Sequence, residues 1–184
     1  ARHVRDIKDF FQLLINGNRY VSCDYGTQNP TAFLLWSKGA DKKWYCRREY
    51  YYSGRDKGRQ KTDKEFSDDL TAWLSGEKVR AVILDPAAAS FKAQLEKDGY
   101  KVKKAKNDVL DGIRFVATLL LSGSIFVDKS CENLIKEFAS YIWDAKATER
   151  GEDKPVKEHD HALDALRYFC YTIIRRGGGI RILK

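Results

Sequence analysis

Long hydrophobic runs are missing from this chain of 184 residues. No stretch approaches the ~20 consecutive apolar residues that carry a helix across a bilayer. The opening Arg2 to Lys8 lacks the apolar core of a secretory signal, so a soluble protein is expected. Cysteine is sparse, and Cys23, Cys46, Cys131 and Cys170 stand far apart without any CxxC pair. That excludes the spacing of a structural zinc site or a redox dithiol. Apolar and aromatic neighbours around Cys23, Cys46 and Cys170 suit free thiols acting as small core residues, in a reducing, intracellular setting. Histidine is equally scarce, and His3, alone near the start, receives no role. The GxSxG elbow, HExxH, a GxGxxG after a strand and the GxxxxGK[ST] phosphate loop are absent too. Serine-hydrolase, zincin, dinucleotide and ATP-hydrolysing chemistries therefore lack their parts in this chain.

What is present is enough apolar material, 43% of residues, for a domain of this length to bury roughly 70% of its unfolded surface. Disorder is excluded as an overall description. Lysine and arginine number 34 against 26 aspartate and glutamate, a formal net charge of +8. An excess of that sign suits a polyanionic partner, although a run of charge by itself marks a solvated face as readily as a binding face.

The hydrophobic spacing sets the organisation. Asp6 to Ile15 has helical periodicity and stops at Asn16-Gly17. Three β-like runs follow, Arg19–Asp24, Thr31–Ser37 and Trp44–Tyr52, joined by short turns, which reads as an antiparallel meander. A polar loop is expected over Ser53–Lys61, then a helix over Asp63–Leu74 with Phe66, Leu70, Trp73 and Leu74 on one face. Arg80–Asp85 is a short continuous apolar run ended by Pro86, the pattern of a strand covered on both faces. Helix at Ser90–Lys97, strand at Tyr100–Lys106, helix at Val109–Leu121, strand at Ser124–Val127 and helix at Cys131–Trp143 come next. The polar stretch Asp144–Glu158 is expected to be an exposed loop, and a last helix spans Asp160–Arg176 before Gly177-Gly178-Gly179. Meander first and alternation afterwards imply an α/β fold with a mixed central sheet and helices on both faces, a topology that resembles ribonuclease H.

Three acids stand where a carboxylate needs a reason. Asp24 ends the first strand, with Gly26 just beyond it; Asp85 ends the most apolar strand; Asp164 lies within the last helix among Leu163, Leu166 and Phe169. His161 and Asp160 precede Asp164 by three and four positions and share its helical side. Singly each has an ordinary explanation: Asp24 opening a turn, Asp85 capping the next helix, Asp160 as an N-cap. Jointly they match the needs of phosphodiester hydrolysis by two divalent ions, roughly 3.5–4 Å apart, held by oxygen ligands. In that arrangement Asp24 bridges both ions, Asp85 binds one, and Asp164 with His161 completes the second. An imidazole ligand favours Mn²⁺ over Mg²⁺; His161 equally suits a proton shuttle or the positioning of the attacking water.

The segments DYGTQNPT (24–31), VILDPAAASF (82–91) and HDHALDALRY (159–168) resemble the three acidic motifs of the C-terminal nuclease domain of phage terminase large subunits, and the resemblance spans nearly the whole chain. It implies a ribonuclease H-like endonuclease that cuts concatemeric double-stranded viral DNA, with little sequence preference, as genomes are packaged into a preformed capsid. Carried onto this sequence, it implies Asp24, Asp85 and Asp164 as ligands of two Mn²⁺ or Mg²⁺ ions, His161 at a position often acidic in related nucleases, and Asp160 as a rival to Asp164. It also implies an N-terminal ATPase motor, so that 1–18 would be the linking segment, 19–176 the nuclease domain and 177–184 a flexible tail. Portal protein and terminase small subunit would be partners through the full-length protein, in the host cytoplasm, the isolated domain being monomeric. Arg55, Lys57, Arg59, Lys61, Lys101, Lys103 and Lys104 are the candidates for contacting DNA phosphates, which position a duplex without reading it. A junction resolvase or transposase-like enzyme of the same fold, and a noncatalytic module docking on DNA or the portal, stay open as alternatives.

Overall fold

Thr31–Lys38 is buried along nearly its whole length, and that one strand organises the molecule. In the computed structural model, which describes residues 3–5, 18–26, 30–139 and 160–177, it is β3 of a seven-stranded mixed sheet. The strands are β1 (Val4–Arg5), β2 (Arg19–Asp24), β3 (Thr31–Lys38), β4 (Trp44–Tyr52), β5 (Val82–Leu84), β6 (Val102–Lys104) and β7 (Ile125–Asp128), in spatial order β1-β7-β4-β3-β2-β5-β6. β2, β3 and β4 form the expected antiparallel meander. β5 then runs parallel to β2, β6 parallel to β5, and β7 parallel to β4. Asp24, Asp85 and the C-terminal end of β4 therefore lie at the same end of the sheet.

Alternation along β3 divides the core. Ala32, Leu34 and Trp36 face one side, where α4 (Val109–Leu121), α5 (132–139) and α6 (His161–Phe169) pack. Phe33 and Leu35 face the other, against α2 (Asp63–Leu74) and α3 (Ala89–Lys97). A side-chain period of two in a strand covered on both faces produces this split. The four cysteines are free and buried, as the neighbours of Cys23, Cys46 and Cys170 implied, and Cys131 joins them in the core. Among the described residues no helix is long and apolar enough to cross a membrane.

Helix limits follow their local chemistry. α2 opens with a capping box, in which Thr62 accepts from the Glu65 N–H and Glu65 accepts from the Thr62 N–H. Thr62→Ala is expected to cost about 1 kcal/mol, read as a lowered urea midpoint with an unchanged slope. α2 closes on Ser75 in the left-handed region, at φ 51°.

Several expectations need correction. The polar Ser53–Lys61 segment is not all loop, because Gly54–Lys57 form a short helical turn, α1, whose N-cap Ser53 accepts from the Asp56 N–H. The strands expected at Arg80–Asp85 and Tyr100–Lys106 shrink to Val82–Leu84 and Val102–Lys104. At the second, the Tyr100 N–H is drawn back to the Leu95 carbonyl and the Lys106 N–H goes to Thr172 Oγ1. Nor is the last helix uniform: α6 widens into a π-helical turn at Cys170–Ile174 and tightens to a 3₁₀ turn at Arg175–Gly177. β-branched Thr172, Ile173 and Ile174 crowd regular α geometry there, and the Thr172 hydroxyl is the group that accepts from Lys106. Val4–Arg5, which periodicity left unassigned, adds an edge strand on β7. The expected helix over Asp6–Ile15, the polar stretch Asp144–Glu158, the end of the helix expected to reach Trp143 and the tail beyond Gly177 lie outside the described residues.

Candidate active site

Register brings the first two acids together. Cys23 pairs with Leu84 across parallel β2 and β5, so Asp24 and Asp85 each lie one position past the last pair, on strands about 4.8 Å apart. Cys23 and Leu84 both face α2 and α3, which by alternation turns Asp24 and Asp85 toward the α6 face. There Asp24 Oδ2 meets His161 Nδ1, in the first turn of α6, at 2.8 Å. Asp24, Asp85, Tyr25, Ala88 and Tyr168 line one cleft of about 280 Å³. Tyr25 walls it, stacked on Phe91 with ring centroids 4.3 Å apart and hydrogen-bonded to Asp63.

Asp85 does not cap α3 in the way its position allowed. Its Oδ1 accepts from the Ala87 N–H at 2.8 Å, and its Oδ2 from Asn107 Nδ2 at 3.3 Å; the cap position is Ala88. Asp160 does occupy the N-cap of α6, yet its side chain makes no cap hydrogen bond. The HisxxAsp pair is not brought to one point either: while His161 holds Asp24, Asp164 Oδ1 accepts from Arg167 Nη2 at 2.8 Å and Nε at 3.3 Å. Asp160 and Asp164 both line a largely apolar groove of about 340 Å³ between α4 and α6.

Electrostatics tie the acids together even so. Burial raises the Tyr168 hydroxyl pKa, and the charges of Asp24, Asp164 and Asp85 raise it further, so this one hydroxyl feels all three carboxylates. Burial also raises the Asp164 pKa; Arg167 opposes this, and Asp160 and Asp24 add to it. For His161, burial favours the neutral ring, but the hydrogen bond and charge of Asp24, with Glu137 and Asp160, outweigh it and lift the pKa. Among the described residues no three His, Cys, Asp or Glu side chains are gathered closely enough to hold a metal ion. The donor chemistry nonetheless fits hard divalent cations: two carboxylates share one cleft and a third lies within reach of their charge.

Glu137 was missed by sequence reasoning. It is 7% exposed, its Oε2 accepts from the Leu163 N–H at 2.8 Å, and its Oε1 accepts from Tyr51 at 3.3 Å. The available signal was an acid one turn beyond Leu134, on the apolar face of α5. Burial pushes its pKa to about 7 from 4.5, against the Leu163 N–H, His161, Tyr51 and the Ala162 N–H. The native state thus holds a proton that the unfolded chain releases earlier. This group costs nothing below pH 4.5, and its penalty grows to on the order of 3 kcal/mol as pH rises through 7. Glu137→Gln is expected to flatten that fall, measured by urea unfolding at pH 5 and pH 8.

The basic candidates divide. Arg59 pairs with Glu65, and Lys61 pairs with Asp69 while lying over the Tyr52 ring. Arg55 and Lys57 are exposed on α1, directly after the acid end of β4. Lys104 ends β6 beside Leu84, at the acid end of the sheet, and Lys103 precedes it; Lys101 enters the strand from the far end.

Residues 22–171 match the family described as Terminase RNaseH-like domain. Over 181 residues the chain is 30% identical to the terminase large subunit of Escherichia phage T5, covering 94% of this chain and 40% of that protein. The large terminase of the thermophilic bacteriophage D6E is 49% identical at a TM-score of 0.80, over 94% of this chain and 43% of that one. The P22 large terminase nuclease domain shares the fold at a TM-score of 0.65 and 22% identity, over 87% of this chain and 82% of that one. The chain thus spans about two fifths of the length of the two longer relatives. It belongs to the terminase RNaseH-like domain family.

Proposed function

We propose that this member of the terminase RNaseH-like domain family is a metal-dependent endonuclease that cuts double-stranded viral DNA during genome packaging. The observation that carries the reading is the placement of Asp24 and Asp85 on neighbouring parallel strands, facing one cleft, with the charge of Asp164 within reach. Asp24, Asp85 and Asp164 would hold two Mn²⁺ or Mg²⁺ ions, with His161 beside Asp24 and Asp160 as the rival third acid. Bound there, such ions supply an activated water and offset charge on the phosphoryl oxygens and the leaving 3′ oxygen. The chain's own residues do the rest. His161, raised toward its protonated form, carries a proton at Nδ1 against Asp24 Oδ2 and fixes the direction of that carboxylate. Asn107 and the Ala87 N–H fix Asp85. Exposed Arg55, Lys57 and Lys104 at the acid end contact DNA phosphates, which gives a salt-dependent grip with little sequence preference. Arg59 and Lys61 contribute less, being paired with acids already.

In the longer protein that its relatives represent, residues 19–176 would form the body of the nuclease unit, reached from a motor domain through 1–18, of which Val4–Arg5 adds an edge strand to the sheet, and followed by the tail 177–184. Portal protein and terminase small subunit would be met through that longer chain, in the host cytoplasm.

Supercoiled plasmid incubated with Mn²⁺, Mg²⁺, Ca²⁺ or EDTA tests the reading, comparing wild type with Asp85→Asn, Asp160→Asn and Asp164→Asn after each is shown to be folded. Nicking and linearisation should require Mn²⁺ or Mg²⁺, and Asp85→Asn should lose roughly 100-fold or more, on the order of 3 kcal/mol of transition-state stabilisation. One of the last two variants should behave alike and so assign the third acid. Full cutting by Asp85→Asn, or cutting in EDTA, would overturn the mechanism; DNA binding with no cutting under any ion would favour a docking module.

A further inference from the structure

The acids at the second and third motifs face different spaces. Asp85 lines the cleft, and Asp164 lines the groove between α4 and α6. One buried side chain covers part of the distance between them, and Asn107 covers the rest. Arg167 is 6% exposed. Its Nη2 and Nε donate to Asp164 Oδ1, while its Nη1 donates to the carbonyl oxygens of Asn107 at 2.8 Å and Asp108 at 3.0 Å. The Asn107 side chain then donates to Asp85 Oδ2 at 3.3 Å. A continuous path of hydrogen bonds thus runs from Asp164 through Arg167 and Asn107 to Asp85.

Gly112 supports the same path. It sits in the interior of α4, where glycine costs about 1 kcal/mol relative to alanine. A Cβ there would lie 2.8 Å from Cγ and 2.9 Å from Cδ of Arg167, so the bare backbone is what lets the arginine stem pass. The planar fork of a guanidinium serves a carboxylate on one edge and carbonyls on the other in fixed directions; an ammonium, a compact charge with three donors, lacks that spread and that fixed geometry.

We propose that Arg167 and Asn107 form a positioning bridge that sets the orientation of Asp85 relative to Asp164, with Gly112 leaving it room. Resting on the nuclease reading above, this gives the two acids a shared support outside the ligand set. In metal sites, partners of the ligands commonly carry 10–100-fold in affinity.

Isothermal titration with Mn²⁺ alone, and plasmid cleavage as a function of Mn²⁺ concentration, test it on Asn107→Ala, Gly112→Ala and Arg167→Lys. Asn107 is exposed, so its truncation leaves the core intact even if Arg167→Lys folds poorly. Asn107→Ala should bind Mn²⁺ about tenfold more weakly, and Arg167→Lys roughly 10–100-fold. The half-saturating Mn²⁺ for cleavage should rise in step, while the rate at saturation changes less. The Asn107→Ala/Arg167→Lys double variant should lose less than the product of the single losses, because both act through one bridge. Wild-type Mn²⁺ binding retained in all the variants, or losses that track urea stability and not Mn²⁺ affinity, would overturn the bridge alone. Absence of Mn²⁺ binding and cutting in the wild type would overturn the nuclease reading and the bridge with it.

Discussion

Asp24→Asn is expected to remove Mn²⁺-dependent plasmid cleavage by about a thousandfold or more, equivalent to about 4 kcal/mol at the transition state. Two losses combine in this one substitution. The carboxylate proposed to bridge both ions becomes a neutral amide, a poor ligand for hard cations. Its partner also changes, since the Asp24 hydrogen bond and charge are what lift the His161 pKa against the burial that lowers it. The imidazole pKa, followed by NMR, should therefore fall in the variant in the absence of any metal or DNA. Linkage fixes how stability responds. A histidine with a raised folded pKa contributes stability that is fully present below its unfolded pKa of about 6.5 and is lost as pH rises through the folded value. Asp24→Asn should thus cost more stability at pH 6 than at pH 9. Cleavage retained near the wild-type rate, with the His161 pKa lowered as expected, would separate the ion pair from catalysis and sink the metal-nuclease assignment of Asp24.

How far the site was legible depended on whether its geometry follows from chain direction. Asp24 and Asp85 end apolar runs, and once β2 and β5 are parallel neighbours their adjacency is a matter of register. Helical spacing likewise placed His161 and Asp164 on one helix. It could not show that their side chains part, one to Asp24 and the other to Arg167, because a shared helical side says nothing about which partner each tip finds. Glu137, Asn107 and Arg167 were illegible for a related reason. Each acts through contacts distant in sequence, Glu137 on Tyr51 and Leu163, Asn107 on Asp85, Arg167 on the 107–108 backbone, and a local signal such as an acid on an apolar helix face does not name those partners. The meander, and the helices Asp63–Leu74 and Val109–Leu121, were read correctly because period and stop signals agreed there, at Ser75-Gly76 and Ser122-Gly123. The last helix was read too regularly because apolar spacing does not register the turn of β-branched residues that follows Phe169.

That same residue carries the largest stability effect. Phe169→Ala is expected to cost about 5 kcal/mol, the upper end for a buried phenylalanine truncation. Phe169 is fully buried. It stacks on Trp36 with centroids 4.3 Å apart and planes at 9°, meets Trp44 edge-on at 5.0 Å and lies 6.0 Å from Tyr20. Collapse into the vacated space is opposed by the hydrogen bond from Trp36 Nε1 to Ser22 Oγ, 3.0 Å long between two buried groups; moving the indole would leave that donor unpaired, at a cost of about 1–3 kcal/mol. Phe169→Leu keeps most of the volume and should cost about 2 kcal/mol or less. Against a typical domain stability of about 5–15 kcal/mol, the alanine variant approaches the unfolding threshold. The consequence reaches the chemistry, because this ring anchors the helix that carries His161, Asp164 and Arg167 to the strand next to Asp24. Urea unfolding and near-ultraviolet dichroism should show an early midpoint and loss of the aromatic signal for Phe169→Ala, with Phe169→Leu close to wild type in both. A cost below about 2 kcal/mol for the alanine variant would mean that α6 is held in place mainly by its polar anchors, Glu137 of α5 on the Leu163 N–H and His161 on Asp24 of β2, and not by the aromatic stack.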